Sequence, residues 1–159
     1  MALHQGLQIL RGGIGFDSWR PMRLAWEYWT QTAGQGLIYS DLLIGKGLKF
    51  QYPPTTLFIP KILEAYQVNF PAFSSITTSL FLAITGLFSF VIALNLLGKY
   101  HPEQSKREKI LLVLPIALLL FTFYPIVKAG TLGQMQVWLN ALFAVAVYCY
   151  ITGNDVFAG

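Results

Sequence analysis

Asp17 stands in "GFDSWRP", Lys49 opens "KFQYPP", and Lys128 and Gly133-Gln134 fall within "YPIVKAGTLGQMQ". A carboxylate accepts a proton from a hydroxyl nucleophile. A lysine and the N–H groups at a helix start hold a phosphate. Tyr52-Pro53-Pro54 adds an aromatic handle to a segment that helix interiors reject, because proline lacks the N–H and restricts the residue before it. A carboxylate, lysines and amides at one boundary suit an enzyme that handles an anionic, lipid-linked substrate. Each residue also has a plainer reading. Asp17 caps a helix near Arg20-Pro21 or faces water. Lys128 is a snorkelling anchor. Gly133-Gln134 is a cap and a wetted amide, and Tyr52-Pro53-Pro54 an interfacial anchor. Residue chemistry does not choose between these.

The elements that must position these groups follow from composition. Of 159 residues, 55% are hydrophobic and 11% charged, where a soluble domain carries about a quarter charged. Mean hydropathy is +0.54. No Asp, Glu, Lys or Arg occurs from Ala65 to Gly98, Ile110 to Val127, or Ala129 to Asn154. Roughly 20 apolar residues cross a bilayer as a helix. The chain therefore reads as an all-α, multi-pass integral membrane protein. Cys149 stands alone, and His4 and His101 make no metal-ligand spacing with it, so no metal is expected and Cys149 reads as a small apolar-face residue. A net charge of +4 in so apolar a chain does not suit nucleic-acid binding.

Residues 1–50 read as an extracytoplasmic loop crowded with Trp19, Trp26, Tyr28, Trp29, Tyr39 and Phe50, rings suited to a membrane–water interface. Pro21 opens a surface helix over Met22–Thr32, and the glycines of "TAGQG" stop it. Residues 51–72 read as a half-helix that dips in and returns. Irregular backbone at membrane depth is tolerated only beside protein or a water-filled cavity, so it hints at a site. Spans follow at 73–98, 110–127 (kinked at Pro115) and 134–152. The loop 99–109 carries Lys99, Lys106, Arg107 and Lys109, which marks it and the end at 153–159 as cytoplasmic. Residues 1–72 and the turn 128–133 then share the outer side.

The order "GFDSW", "GQGLIY", "YPP", "YPI…GQ" and "GNDVFAG" resembles the polyprenol-phosphate-sugar-dependent glycosyltransferases of family 87, of the GT-C class, and "FDSWRPM…FQYPP" is similar to their cyanobacterial members. The resemblance runs from Gly15 to Gly159. It implies a GT-C-type helical fold in the plasma (inner) membrane, with catalysis on the extracytoplasmic face. It implies transfer of a mannose-like sugar from polyprenyl phosphate to an acceptor hydroxyl, with inversion and no cofactor beyond that donor. Asp17 matches the general base, with Glu27 the second choice. Tyr52, Pro53, Pro54, Gly133 and Gln134 match site-lining positions; Lys49 and Lys128 stand beside them. Family members carry a span ahead of the aspartate and further spans beyond "DVFAG". The expectation is therefore an internal piece of a longer fold, with the remaining helices as partners.

Two other readings compete. A non-enzymatic three-span subunit that binds a partner or membrane lipid would depend more on Trp26 and Trp29 than on Asp17. A transporter fragment would also show broken helices, but the charge-free spans lack the midplane acid or ion pair that transporters carry.

Overall fold

The computed structural model describes residues 18–50 and 52–153, and every regular element among them is helical. Helix α1, Arg20–Gln31, begins with proline in its first turn and buries Met22 and Ala25 on one face. Arg23 and Glu27 pair along its outer side at 2.7 Å, a contact of small energetic weight. The chain reverses at Ala33 and Gly34, both with positive φ. A π-helical turn, Ile38–Gly45, then buries Ile38 and Leu42. After buried Phe50 comes a 3₁₀ turn, Pro54–Leu57, which runs into α2, Phe58–Ala65. Eight residues rise only about 12 Å, so α2 lies as a short segment and does not cross. Its end at Gln67 again takes a positive φ.

Helix α3, Phe70–Tyr100, starts where the Asn69 side chain accepts from the Ala72 N–H at 3.0 Å, with Pro71 in the first turn. Its 31 residues span about 46 Å, more than a bilayer core. Among the described residues it is the one helix long and apolar enough to cross a membrane, and only 6% of its most apolar window is buried within the chain. The core helix of a soluble domain would be mostly covered. Here Ile76, Leu80 and Leu87 stand more than half exposed.

Helix α4, Lys106–Thr122, opens on a capping box in which Ser105 and Glu108 satisfy each other's backbone N–H. The expected single span at 110–127 is broken. Phe123 is extended, and α5, Tyr124–Thr131, restarts with Pro125 in its first turn. Pro125 has no N–H to donate into the preceding turn, so the helix cannot run on through it unbroken, and it sits instead in the first turn of the restarted helix. Pro115 stays inside α4. Lys128 therefore rides on a helix, where a connecting turn over 128–133 was expected. After Gly133 in the left-handed region, α6, Gln136–Thr152, completes the chain to the Gly153 cap.

Helix α3 packs chiefly on α6 and then on α4. Across the α3–α6 seam, Phe73 and Phe81 meet Trp138 and Phe88 meets Tyr148, and the fully buried residues of the two helices are mostly small: Ser74, Thr78 and Gly86 from α3, Ala141, Ala144 and Cys149 from α6. Small residues let helix backbones approach closely where lipid gives no hydrophobic drive. The largest buried cluster lies elsewhere, among Trp19, Met22, Ala25, Ile38, Leu42, Phe50 and Leu57. Trp19 ties this cap to the helices. Its ring meets Phe70 at 5.6 Å, Phe73 at 6.0 Å and Trp138 at 5.4 Å.

Candidate functional site

Where the cap meets the start of α6 there is an open cleft of about 740 Å³. Four of the residues singled out from sequence line it: Lys49, Tyr52, Pro53 and Gln134. Local structure explains each placement. Phe50 is fully buried, while its neighbour Lys49 is exposed toward the cleft mouth. Extended backbone sends successive side chains to opposite faces. The Tyr52 carbonyl accepts from the Tyr39 hydroxyl at 2.6 Å, and its ring meets Phe50 edge-on at 6.2 Å. Thr56 closes the proline turn by donating from N–H (2.9 Å) and hydroxyl (2.7 Å) to the Pro53 carbonyl. Gly133 supplies the left-handed step that an L side chain resists. The Gln134 N–H then donates to the Ala129 carbonyl at 2.9 Å, which holds its side chain at the opposite rim.

Ser18 fastens the two rims. Its N–H donates to the Leu132 carbonyl at 3.2 Å, and its side chain hydrogen-bonds Tyr52. Burial raises the Tyr52 phenol above its ordinary value, and the Ser18 bond partly opposes that. Tyr52 is therefore a neutral hydroxyl at physiological pH, suited to hydrogen-bonding a ligand. Below the rim the lining turns apolar through Met135, Trp138, Leu139 and Leu142. Leu139 and Leu142 are 58% and 59% exposed, so this strip opens along α6 toward the outside of the helices. The cleft offers one cation and several neutral polar groups above an apolar runway. That combination fits an anionic head carried on a long apolar tail.

Other expected site residues lie elsewhere. Pro54 faces a second cleft on the far side of the 3₁₀ turn. Lys128 is exposed on α5 and does not line the first cleft, because the break at Phe123 turns that segment aside. Gly133 is buried and shapes the turn without lining the cleft. Glu27 pairs with Arg23 and stays apart from it. Asp17 lies outside the described residues, immediately before Ser18 in the chain. Among the described residues, no three His, Cys, Asp or Glu side chains gather as a metal set would need.

Sequence reasoning missed Ser18 and Trp138 as lining residues, while Gln136, grouped with Gln134 from sequence, lines the cleft too. Trp138 sits in an apolar run that reads as span interior. The signal was its chemistry, since a tryptophan near a helix start marks an interface with a polar partner. Its indole N–H, the indole N–H of Trp19 and the Thr78 hydroxyl, all buried, have no hydrogen-bond partner within the described residues. The cap holds a second polar knot that reasoning also missed. The Tyr28 hydroxyl donates to the Asp41 carboxylate, which also accepts from the Leu37 N–H at 3.2 Å. Compared with known proteins, the chain matches no family model, no curated protein and no solved structure.

Proposed function

We propose that the chain forms the substrate-facing part of a multi-pass, inner-membrane glycosyltransferase of the polyprenol-phosphate-sugar-dependent GT-C type. It moves a mannose-like sugar to an acceptor hydroxyl on the extracytoplasmic face. One observation carries this reading: Lys49, Tyr52, Pro53 and Gln134, drawn from segments some eighty residues apart, line one cleft that continues as an apolar strip along α6. In this reading α3, α4 and α6 cross the membrane and the loop 99–109 is cytoplasmic. Lys49 holds the donor phosphate, Tyr52 and Gln134 orient the head, and the prenyl chain follows Leu139 and Leu142. Asp17 takes the proton from the acceptor hydroxyl as its oxygen attacks the anomeric carbon from the side opposite phosphate. The sugar C–O bond to phosphate breaks, and the leaving polyprenyl phosphate keeps the electron pair beside Lys49.

Among the described residues that line the cleft there is no carboxylate. That observation favours a second reading, a non-enzymatic membrane subunit that holds a lipid phosphate or a partner there. Transfer from a polyprenyl-phosphate sugar, measured with the full-length protein in membranes, separates the two. The transferase reading expects Asp17→Asn to lower turnover by at least about a hundredfold, the scale of general-base catalysis, with lipid-phosphate binding retained. It expects Lys49→Ala to weaken that binding roughly tenfold. Unchanged turnover in Asp17→Asn sinks the general-base assignment. Lys49-dependent binding with no transfer by the native protein leaves the subunit reading in place.

A further inference from the structure

The 3₁₀ turn Pro54–Leu57 has two sides. Thr56 and the adjoining Pro53 face the cleft described above, while Pro54, Thr55 and Leu57 line a second cleft of about 490 Å³ with Trp26, Trp29 and Lys61. Both of its indoles are held. The Trp26 Nε1–H donates to the Glu64 carboxylate of α2. Trp29 is backed by Gly34, where a Cβ would come within 3.2 Å of the ring, and the Gly34 N–H donates to the Trp29 carbonyl at 2.9 Å. Positive φ at Gly34 makes any side chain there costly, so the chain can lie flat behind the indole. Two aromatic walls fixed from behind, with a cation and a hydroxyl between them, form a pre-organised binding site.

We infer that this second cleft is a carbohydrate site for the ring of a neutral hexopyranose. An indole face is electron-rich. The axial C–H face of a pyranose is slightly positive and flat enough to lie on it. The ring hydroxyls then meet the Thr55 hydroxyl and the Lys61 ammonium at the edge. Aromatic walls also suit quaternary ammonium groups, but the cleft lining itself holds the Lys61 ammonium and no carboxylate among the described residues, which favours a neutral ring over a cation. The location gives the site a role, and this step rests on the transferase reading. The two clefts flank one short 3₁₀ turn, so a sugar here is one residue of an acceptor glycan whose reacting residue reaches round the turn to the donor cleft.

The whole protein in detergent micelles or nanodiscs, labelled with 5-fluorotryptophan, tests the site by fluorine NMR. The probes are neutral mannose-, glucose- and N-acetylglucosamine-containing trisaccharides. At least one is expected to shift the Trp26 and Trp29 resonances saturably, with half-saturation on the order of 1 mM. Trp29→Ala is expected to weaken binding about tenfold. Exposed Lys61→Ala is expected to weaken it a fewfold with the fold intact, which guards against a misfolded first variant. Lys49→Ala is expected to leave it unchanged. No saturable shift from any of the three up to about 50 mM overturns the inference. So does a response of these indoles to phospholipid or detergent chains alone. Titration with polyprenyl phosphate, read at the Trp138 resonance in the same samples, reports on the donor cleft separately, so failure of one reading is visible apart from failure of the other.

Discussion

The cap over residues 18–69 and the helices over 70–153 are stabilised by different physics. The cap contains a π-helical turn, a 3₁₀ turn and two short helices, and it buries large rings and Phe50 completely. Its close approaches are specific: a Cβ at Gly36 would lie 2.4 Å from the Tyr28 ring and 2.7 Å from the Thr32 hydroxyl. The helices bury mostly small side chains against one another and leave Leu119, Phe143 and Tyr150 more than 60% exposed. The helices leave much apolar surface outward, whereas the cap carries its own buried core. A site belongs at the boundary, where a rigid polar rim can stand above an apolar strip. The first cleft sits there, lined by cap residues on one side and by α6 on the other.

The strongest way to break this contrast is to remove the side chain that couples the two parts. Trp19 is 1% exposed and touches Phe70, Phe73 and Trp138. Trp19→Ala is expected to destabilise the cap by about 3–5 kcal/mol, the usual cost of truncating a buried large aromatic. Near-UV circular dichroism should collapse and limited proteolysis should cut the chain before residue 69, while far-UV helicity from α3 and α6 stays. Loss of all helicity in step with the near-UV signal would show one cooperative unit and end the comparison. Next in size, Gly36→Ala forces Tyr28 and Thr32 aside, with an expected cost of about 1–3 kcal/mol. Proton exchange should quicken at Gly36 and Leu37 and leave α6 unchanged.

The legible features were those that act locally. Pro21, the glycines after Thr32 and the charge-free run after Glu64 delimit α1 and α3 with short-range chemistry alone. Expected sidedness and motif order group Lys49, Tyr52, Pro53 and Gln134, and these four share a cleft. Long-range geometry was not legible. The break at Phe123, which carries Lys128 away, depends on how Pro125 is accommodated, and a proline can kink a helix or restart it. Pro54 faces away from Pro53 because a 3₁₀ turn advances about a third of a circle per residue. Trp138 reads as apolar filler until the cap is seen above it.

A smaller change probes the junction itself. Asn69→Ala removes the side-chain acceptor of the Ala72 N–H at the start of α3. The expected cost is about 1 kcal/mol, seen as faster amide exchange confined to the first turn of α3. Spread of that exchange into Trp19 and Phe50 would mean that the cap is held mainly through α3 and has no independent core.

The weakest effects carry the sharpest distinction, because the two regions should respond to opposite ends of the pH scale. In the cap, the Tyr28 phenol is raised above its ordinary 10.0, first by its hydrogen bond to Asp41, then by loss of solvent and by the nearby negative charge. The folded state thus favours the neutral phenol. This contribution is complete below pH 10 and is lost as pH rises through the folded value. At the start of α4, the Glu108 carboxyl is lowered below 4.5, chiefly by the Ser105 backbone N–H and then by the Ser105 hydroxyl. The folded state there favours the carboxylate, so this contribution is present above the ordinary value and is lost as pH falls through the folded one. Spectrophotometric titration should find two late-ionising tyrosines, Tyr28 and Tyr52, of which Tyr28 moves back toward 10 in Asp41→Asn. Protection against exchange at the start of α4, relative to the unfolded chain, should fall in acid in the native protein, and at neutral pH already in Glu108→Ala. If acid loosens the cap first, or alkali loosens the start of α4, the two regions are not held as argued, because neither knot would then be the local determinant that its hydrogen bonds imply.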